Sequence, residues 1–284
     1  PAIQVLRDMG VAAGFDYLTR VGLSPDADDA NLALALGGMT HGVTPLDLAA
    51  AYAPFATGGL YLPGGTISRI ADADGNVLYQ APTQGERVLS QDTAYILTDM
   101  LKTVISEGTG KALKIEGVPL AGKTGTVEEA TGGSRDIWMA AYNPEVVAVC
   151  WMGADDARAG RAIAESAGGG GSYPARLLKQ VFQSLYPNGG PDFTAPDSIQ
   201  AVALDAYSLS EEHAARLATE LTPEQDRVTE YFRPGTAPTE NSRYYAPPQA
   251  PDDVGVTSVN GVIHIHFTAA DAFVRYSVYR YGRD

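Results

Sequence analysis

Cysteine, histidine and basic residues are scarce in this chain of 284 residues, which carries one Cys, four His and 20 Lys+Arg against 34 Asp+Glu. A single cysteine, Cys150, permits no disulfide within the chain, so a disulfide-stapled fold is excluded and the compartment stays open on that count. Cys150 lies in the apolar run 146–152, where the simple reading is a buried thiol in a core strand. The shortage of basic residues leaves a net charge of -14. That balance disfavours nucleic acid and any anionic surface as a partner. No apolar run is long enough to span a bilayer, and the first residues carry no signal-peptide pattern. Residues 1–6 already read as helix, so the chain is expected to be cut from a longer one. What remains is ordinary globular material, 45% hydrophobic and 19% charged. Its length suits one large domain plus a smaller piece, or two domains.

The stretch with chemistry in it is 120–126, which sets Lys123, Thr124, Gly125 and Thr126 directly after the apolar run Val118, Pro119, Leu120. The run predicts a strand leading into the motif. Gly125 lets a ligand approach the backbone closely. Lys123 supplies a fixed positive charge, and the two threonines supply hydroxyls that donate and accept. Alternation puts Lys123 and Thr124 on opposite faces of a strand. Both serve one ligand only if the strand is an edge and the site lies along it. An extended peptide would then add to that edge through main-chain hydrogen bonds, with its carboxylate near Lys123 and the hydroxyls.

Around this motif the pattern predicts helices over 1–9 and 12–21, and a third opened by Thr44 as cap and Pro45 at the first helical position. Asp74-Gly75 marks a hairpin between 67–71 and 77–80. Ser90 caps a helix to about Ile105, with Tyr95, Leu97, Met100, Leu101 and Ile105 as its apolar residues. Residues 107–111 form a glycine-rich loop without the spacing of a phosphate cradle, and 127–134 a polar loop. Runs 137–142 and 146–152 predict antiparallel strands buried on both faces, hence helices above and below the sheet. Residues 168–171, four glycines, read as a flexible turn, 173–186 as a helix, and 188–191 as a boundary. Beyond it come a short strand at 199–204, helices at 210–220 and 222–232, and a stiff proline linker at 247–251. Strands at 254–257 and 262–268 flank Asn260-Gly261, and a third follows at 274–280.

Lys123-Thr124-Gly125-Thr126, with Glu107 to Ala112 before it, resembles the transpeptidase domain of penicillin-binding proteins. The stretch 37–52 and Arg135-Asp136-Ile137-Trp138 narrow the resemblance to the class A, bifunctional branch, and 231–239 resembles the tail that follows that domain. The resemblance implies an α+β fold, an antiparallel sheet flanked by helices with its N-terminal part absent, then an irregular tail and a partial β-sandwich. It implies residues 1–188 as the C-terminal part of the transpeptidase domain, 189–250 as tail and linker, and 251–284 as the start of a fibronectin type III-like domain. It implies a peptidoglycan D,D-transpeptidase that binds β-lactams and the D-Ala-D-Ala end of stem peptides, without a cofactor. Lys123 would hold the carboxylate side of the ligand and assist proton movement. Thr124 and Thr126 would hydrogen-bond that carboxylate beside Gly125, and the Thr126 N–H would be one oxyanion donor. The parent would carry a glycosyltransferase domain and a membrane anchor upstream, and would lie on the outer side of the bacterial cytoplasmic membrane.

The family's nucleophile is a serine with lysine three places on, and no serine in this chain has that neighbour. Ser258-Val259-Asn260 is the one Ser-x-Asn, and it falls in a hairpin of the C-terminal piece. Both motifs are therefore expected upstream of residue 1, and the isolated chain is expected to be inactive, with self-association a risk of its exposed apolar faces. Two other readings stay open: a non-catalytic wall- or partner-binding module, and a β-lactamase or D,D-carboxypeptidase, against which the class A tail argues. His264 and His266 share a strand face at a spacing that can bind metal, but no third ligand is evident and no metal site is assigned. His41 and His213 read as ordinary surface or packing residues. Asp136 and Trp138 read as shaping the sheet at least as well as touching a substrate.

Overall fold

The computed structural model describes residues 1–129, 132–153, 162–245, 250–269 and 275–279. The chain divides into two units, Pro1–Ile199 and Gln200–Asp284.

In the first unit, Gly10 (φ 90°) separates α1 (Ala2–Met9) from α2 (Val11–Arg20). Helix α3 (Pro45–Ala56) starts as its sequence demands, with Thr44 Oγ1 accepting from Asp47 N at 3.1 Å and proline in the first turn. Thr44→Ala is expected to cost about 1 kcal/mol of stability in a denaturant melt, and Thr44→Ser to leave it near the original value. Strand β1 (Leu60–Tyr61) pairs below with a later segment, and the hairpin β2 (Arg69–Ala71) and β3 (Val77–Gln80) forms around Asp72, whose carboxylate accepts from Asp74 N and Asn76 N. The partner of β1 is β4 (Glu86–Arg87). Ser90 caps α4 (Gln91–Ser106) through Thr93 N. Its buried stripe is Ala94, Thr98 and Ile105, whereas Met100, expected on the apolar face, is 62% exposed. The reason is phase: six residues past Ala94, a side chain lies about 120° round the helix.

A three-stranded antiparallel sheet follows: β5 (Ala121–Glu128), β6 (Ser134–Tyr142) and β7 (Val147–Gly153), in the order β5-β6-β7. Strand β5 is thus an edge among the described residues, as the motif required. It begins at Ala121, not at Val118, which only bridges to Ile115. Asn143 closes the β6–β7 turn by accepting from Glu145 N and Val146 N. On one face of β6, Met139 and Ala141 pack with Leu178 and Phe182 of α5 (Tyr173–Leu185) and with Ile105. On the other, Tyr142 meets Tyr52 and Phe55 of α3, each with ring centroids 6.2 Å apart, and its hydroxyl lies 3.0 Å from Thr98 Oγ1. Burial pushes the Tyr142 phenol well above its ordinary pKa. Strand β6 is therefore buried on both faces. Strand β7, expected to match it, is only half-buried, and it is the other edge of the sheet among the described residues.

In the second unit β8 (Gln200–Asp205) leads into the short helix α6 (Ala206–Ser210) and pairs with β9 (Arg227–Phe232). The two helices expected over 210–220 and 222–232 do not form. Leu217 instead bridges to Leu204 and Asn241, and the second segment is one 3-10 turn (Glu224–Asp226) followed by β9. Val228, Thr229, Tyr231 and Phe232 favour a strand, and pairing with β8 decided the conformation over local helical spacing. Strands β10 (Asp252–Val259) and β11 (Val262–Thr268) pair around Asn260 and Gly261, both at positive φ. Residues 275–279 of the expected third strand are not in a strand, while Val274 and Arg280 lie outside the described residues. So do residues 247–249 of the proline linker. The whole is an α+β fold, helices flanking antiparallel sheets, followed by an open β region.

Candidate functional site

The register of β5 on β6 settles which motif side chains stand together. Lys123, Gly125 and Val127 oppose Ala140, Trp138 and Asp136, while Thr124 and Thr126 oppose Met139 and Ile137. Directly opposed residues share a face. Lys123 and Gly125 therefore lie on the Trp138 face, and both threonines lie on the face that packs on α5. The edge of the strand is where the two sets meet. Lys123 and Thr126 are exposed, and the Lys123 ammonium folds back to donate to Thr124 O at 2.9 Å.

Neither hydroxyl is left without a neighbour. Thr124 Oγ1 lies 2.6 Å from Thr109 Oγ1, and Thr126 Oγ1 accepts from Gly170 N at 3.3 Å. Residues 168–171, read from sequence as a flexible turn, press directly on the motif. A Cβ on Gly170 would stand 1.9 Å from Trp138 O and 2.7 Å from Gly125 O. One on Gly171 would stand 2.0 Å from Thr109 O. Of the four glycines only Gly168 has positive φ (67°), so the other three are needed for close approach and not for conformation. Sequence spacing does not point to Thr109 or this turn as neighbours of the motif. The available signals were a hydroxyl inside the 107–111 glycine loop and three glycines more than one turn needs.

On the Trp138 face a cavity of about 510 Å3 opens between the sheet and the loop 37–45, lined among others by Thr40, His41, Val127, Arg135, Trp138 and Trp151. The Asp136 carboxylate accepts from Trp151 Nε1 and Arg135 Nε, both at 2.9 Å, and the Trp138 and Trp151 rings lie 6.0 Å apart. A Cβ on Gly125 would stand 3.2 Å from Trp138 Cβ, a tight contact on this face. The loop opposite is anchored by the buried Asp29 carboxylate, which accepts from Thr40 Oγ1, Thr40 N and Asp26 N. The Thr40 hydroxyl first, then the backbone N–H groups, hold Asp29 below the usual carboxylate range against the opposing effect of burial. His41 is exposed and paired with Asp26 at 2.9 Å. Cys150 is half-buried against the core under α5, and burial raises its thiol pKa. His264 and His266 oppose Thr257 and Gly255 on β10. Among the described residues no group of three metal-ligating side chains converges.

Among the described residues no helix is long and apolar enough to cross a membrane. Residues 8–182 match the family described as the penicillin binding protein transpeptidase domain, and residues 195–247 the one described as the C-terminal domain of penicillin-binding protein 1A. The chain is 30% identical over 275 residues to penicillin-binding protein 1A/1B of Bacillus subtilis (strain 168), covering 92% of this chain and 29% of that protein. It is 37% identical over 202 residues to penicillin-binding protein 1F of the same organism, covering 70% and 27%. The crystal structure of penicillin-binding protein 1A from Haemophilus influenzae superposes with a TM-score of 0.64 over 85% of this chain and 39% of that one. At 24% identity that likeness speaks for the fold alone. The chain spans less than a third of the length of these Bacillus relatives. With its family match, its edge motif and the small β unit that follows, the chain belongs to the penicillin-binding proteins, as a homologue of the class A transpeptidase region.

Proposed function

We propose that this chain supplies the carboxylate-binding wall of a peptidoglycan D,D-transpeptidase. The observation that carries the reading is that β5 is an edge strand with Lys123 and Thr126 exposed along it. A stem peptide ending in D-Ala-D-Ala, or a β-lactam, adds to that edge as an extra strand. Lys123 meets the terminal carboxylate and assists proton movement, Thr124 and Thr126 hydrogen-bond it, and Gly125 keeps the backbone approachable. The Thr126 N–H is one oxyanion donor, a group whose loss typically costs about 3–4 kcal/mol of transition-state stabilisation. A serine outside this chain attacks the penultimate D-Ala carbonyl, the terminal D-Ala leaves with a proton, and an acceptor amine then displaces the serine from the acyl-enzyme.

The domain reading goes with it: 1–188 as transpeptidase part, 189–250 as tail and linker, 251–284 as the start of a fibronectin type III-like domain. The parent is bifunctional, with a glycosyltransferase domain and a membrane anchor, and works on the outer side of the cytoplasmic membrane. The isolated chain is inactive. Val5, Met9 and Leu36 are exposed at 60%, 53% and 72%, and such apolar side chains favour association of copies.

Labelling by a fluorescent penicillin on a denaturing gel tests this, comparing the chain with a longer one that carries a Ser-x-x-Lys segment upstream. Label is expected on the longer chain only. Label on the short chain would place the nucleophile within it and overturn the division of the site. Label on neither would favour the second reading, a non-catalytic binding module, to which the lack of Ser-x-x-Lys also points.

A further inference from the structure

The two hydroxyls on one face of β5 are each backed by a polar group from elsewhere in the chain. Thr124 Oγ1 lies 2.6 Å from Thr109 Oγ1, and Thr126 Oγ1 accepts from Gly170 N. A threonine hydroxyl has one proton to give and two lone pairs to accept with, whereas a carboxylate only accepts. For Thr124 to donate to a carboxylate, its one proton must point at the ligand. The Thr109–Thr124 bond must then run with Thr109 as donor. At Thr126 the sense is already decided, because a backbone N–H only donates.

We propose that Thr109 is a positioning residue of the carboxylate site: its hydroxyl donates into Thr124 and, together with the Gly170 N–H behind Thr126, turns both β5 hydroxyls into proton donors for an anionic ligand end. This rests on the reading of β5 given under Proposed function. Two short relays result, Thr109 to Thr124 to ligand and Gly170 to Thr126 to ligand, and hydrogen bonds running in one sense polarise each other.

Thr109 is built to stay in place. The flanking glycines are tied to α4, with Gly108 N donating to Thr103 O and Gly110 N to Val104 O, both at 2.9 Å. The turn 168–171 closes on its carbonyl so tightly that a Cβ on Gly171 would stand 2.0 Å away. A ligand ending in an amide offers donors as well as an acceptor and does not demand one sense of the relay. Preference for acid over amide is therefore the signature of the device.

Thr109→Val keeps the side-chain shape and removes the hydroxyl, and Thr109→Ser keeps the hydroxyl. On the chain itself, NMR titration compares N-acetyl-D-alanyl-D-alanine with its C-terminal amide. Three-bond couplings to the Thr124 methyl report that side chain's rotamer. The unaltered chain is expected to prefer the acid. Thr109→Val lowers the preference about fivefold and lets Thr124 average over rotamers, and Thr109→Ser restores both. Thr109 is exposed, so the melting temperatures stay close. An unchanged acid preference in Thr109→Val, or a Thr124 rotamer indifferent to it, overturns the positioning role alone. Binding of neither peptide by the unaltered chain overturns the underlying reading of β5, a distinguishable result.

Discussion

Lys123→Met, placed in a longer chain that carries the Ser-x-x-Lys segment, is expected to slow penicillin labelling on the order of a hundredfold while leaving the fold intact. The size follows from what the ligand loses. A hydrogen bond to a charged group is worth about 1.5–3 kcal/mol, and the upper part of that range is a factor of about 100. The chain's net charge of -14 does not substitute for the lysine or add to its effect, because charges beyond a Debye length of about 8 Å are largely screened at physiological salt. The local cation decides. Lys123 is exposed and its ammonium rests on a carbonyl of its own strand, so stability should move by no more than about 0.5 kcal/mol. Lys123→Arg keeps the charge but replaces a compact ammonium by a planar fork, and should fall between the two. Rates of labelling measured beside melting temperatures decide the matter. Equal labelling by Lys123→Met would remove Lys123 from the site.

Much of this was legible because its signals are local. Thr44-Pro45 and Ser90 announced two helices through caps that the structure forms. The demand that Lys123 and Thr124 share a ligand across opposite faces required an edge strand, and β5 is one among the described residues. What escaped was set by partners distant in sequence. Thr109 meets Thr124 across 15 positions, and Gly170 meets Thr126 across 44. No window of spacing sees such a contact. The segment Arg227–Phe232 has helical spacing and strand-favouring residues at once, and β8, more than twenty residues earlier, chose the strand. Met100 is a different case: it is apolar, but its angular position on α4 carries it away from the buried stripe of Ala94, Thr98 and Ile105.

The largest stability loss is expected in the second unit, from Asp205→Ala. Asp205 ends β8 fully buried, and its carboxylate holds three pieces of chain together. It accepts from Tyr207 N at 3.0 Å as the cap of α6, from Ser208 Oγ at 2.7 Å, and from Ser242 Oγ at 2.5 Å on the segment that Leu217 also bridges. Ser208 and Ser242 are themselves 0% and 3% exposed, so alanine at 205 leaves two buried hydroxyls and a helix N–H without their acceptor. Lost capping costs about 1 kcal/mol and each orphaned buried group about 1–3 kcal/mol, so about 3–4 kcal/mol is expected after partial relaxation. Acid should produce part of the same loss. Burial by itself raises the Asp205 pKa, but the hydrogen bonds from Ser242, Ser208 and the backbone outweigh it and hold the folded value below the ordinary one. A lowered folded pKa means that the unfolded chain takes up the proton first. The stabilisation is then complete above the unfolded value of about 3.9 and lost as pH falls through the folded one. Unfolding followed by Tyr207 or Tyr245 resonances should show that acid-dependent step in the unaltered chain and lack Asp205's share of it in Asp205→Ala. A variant as stable as the parent at neutral pH would show that the buried carboxylate does not hold the unit together.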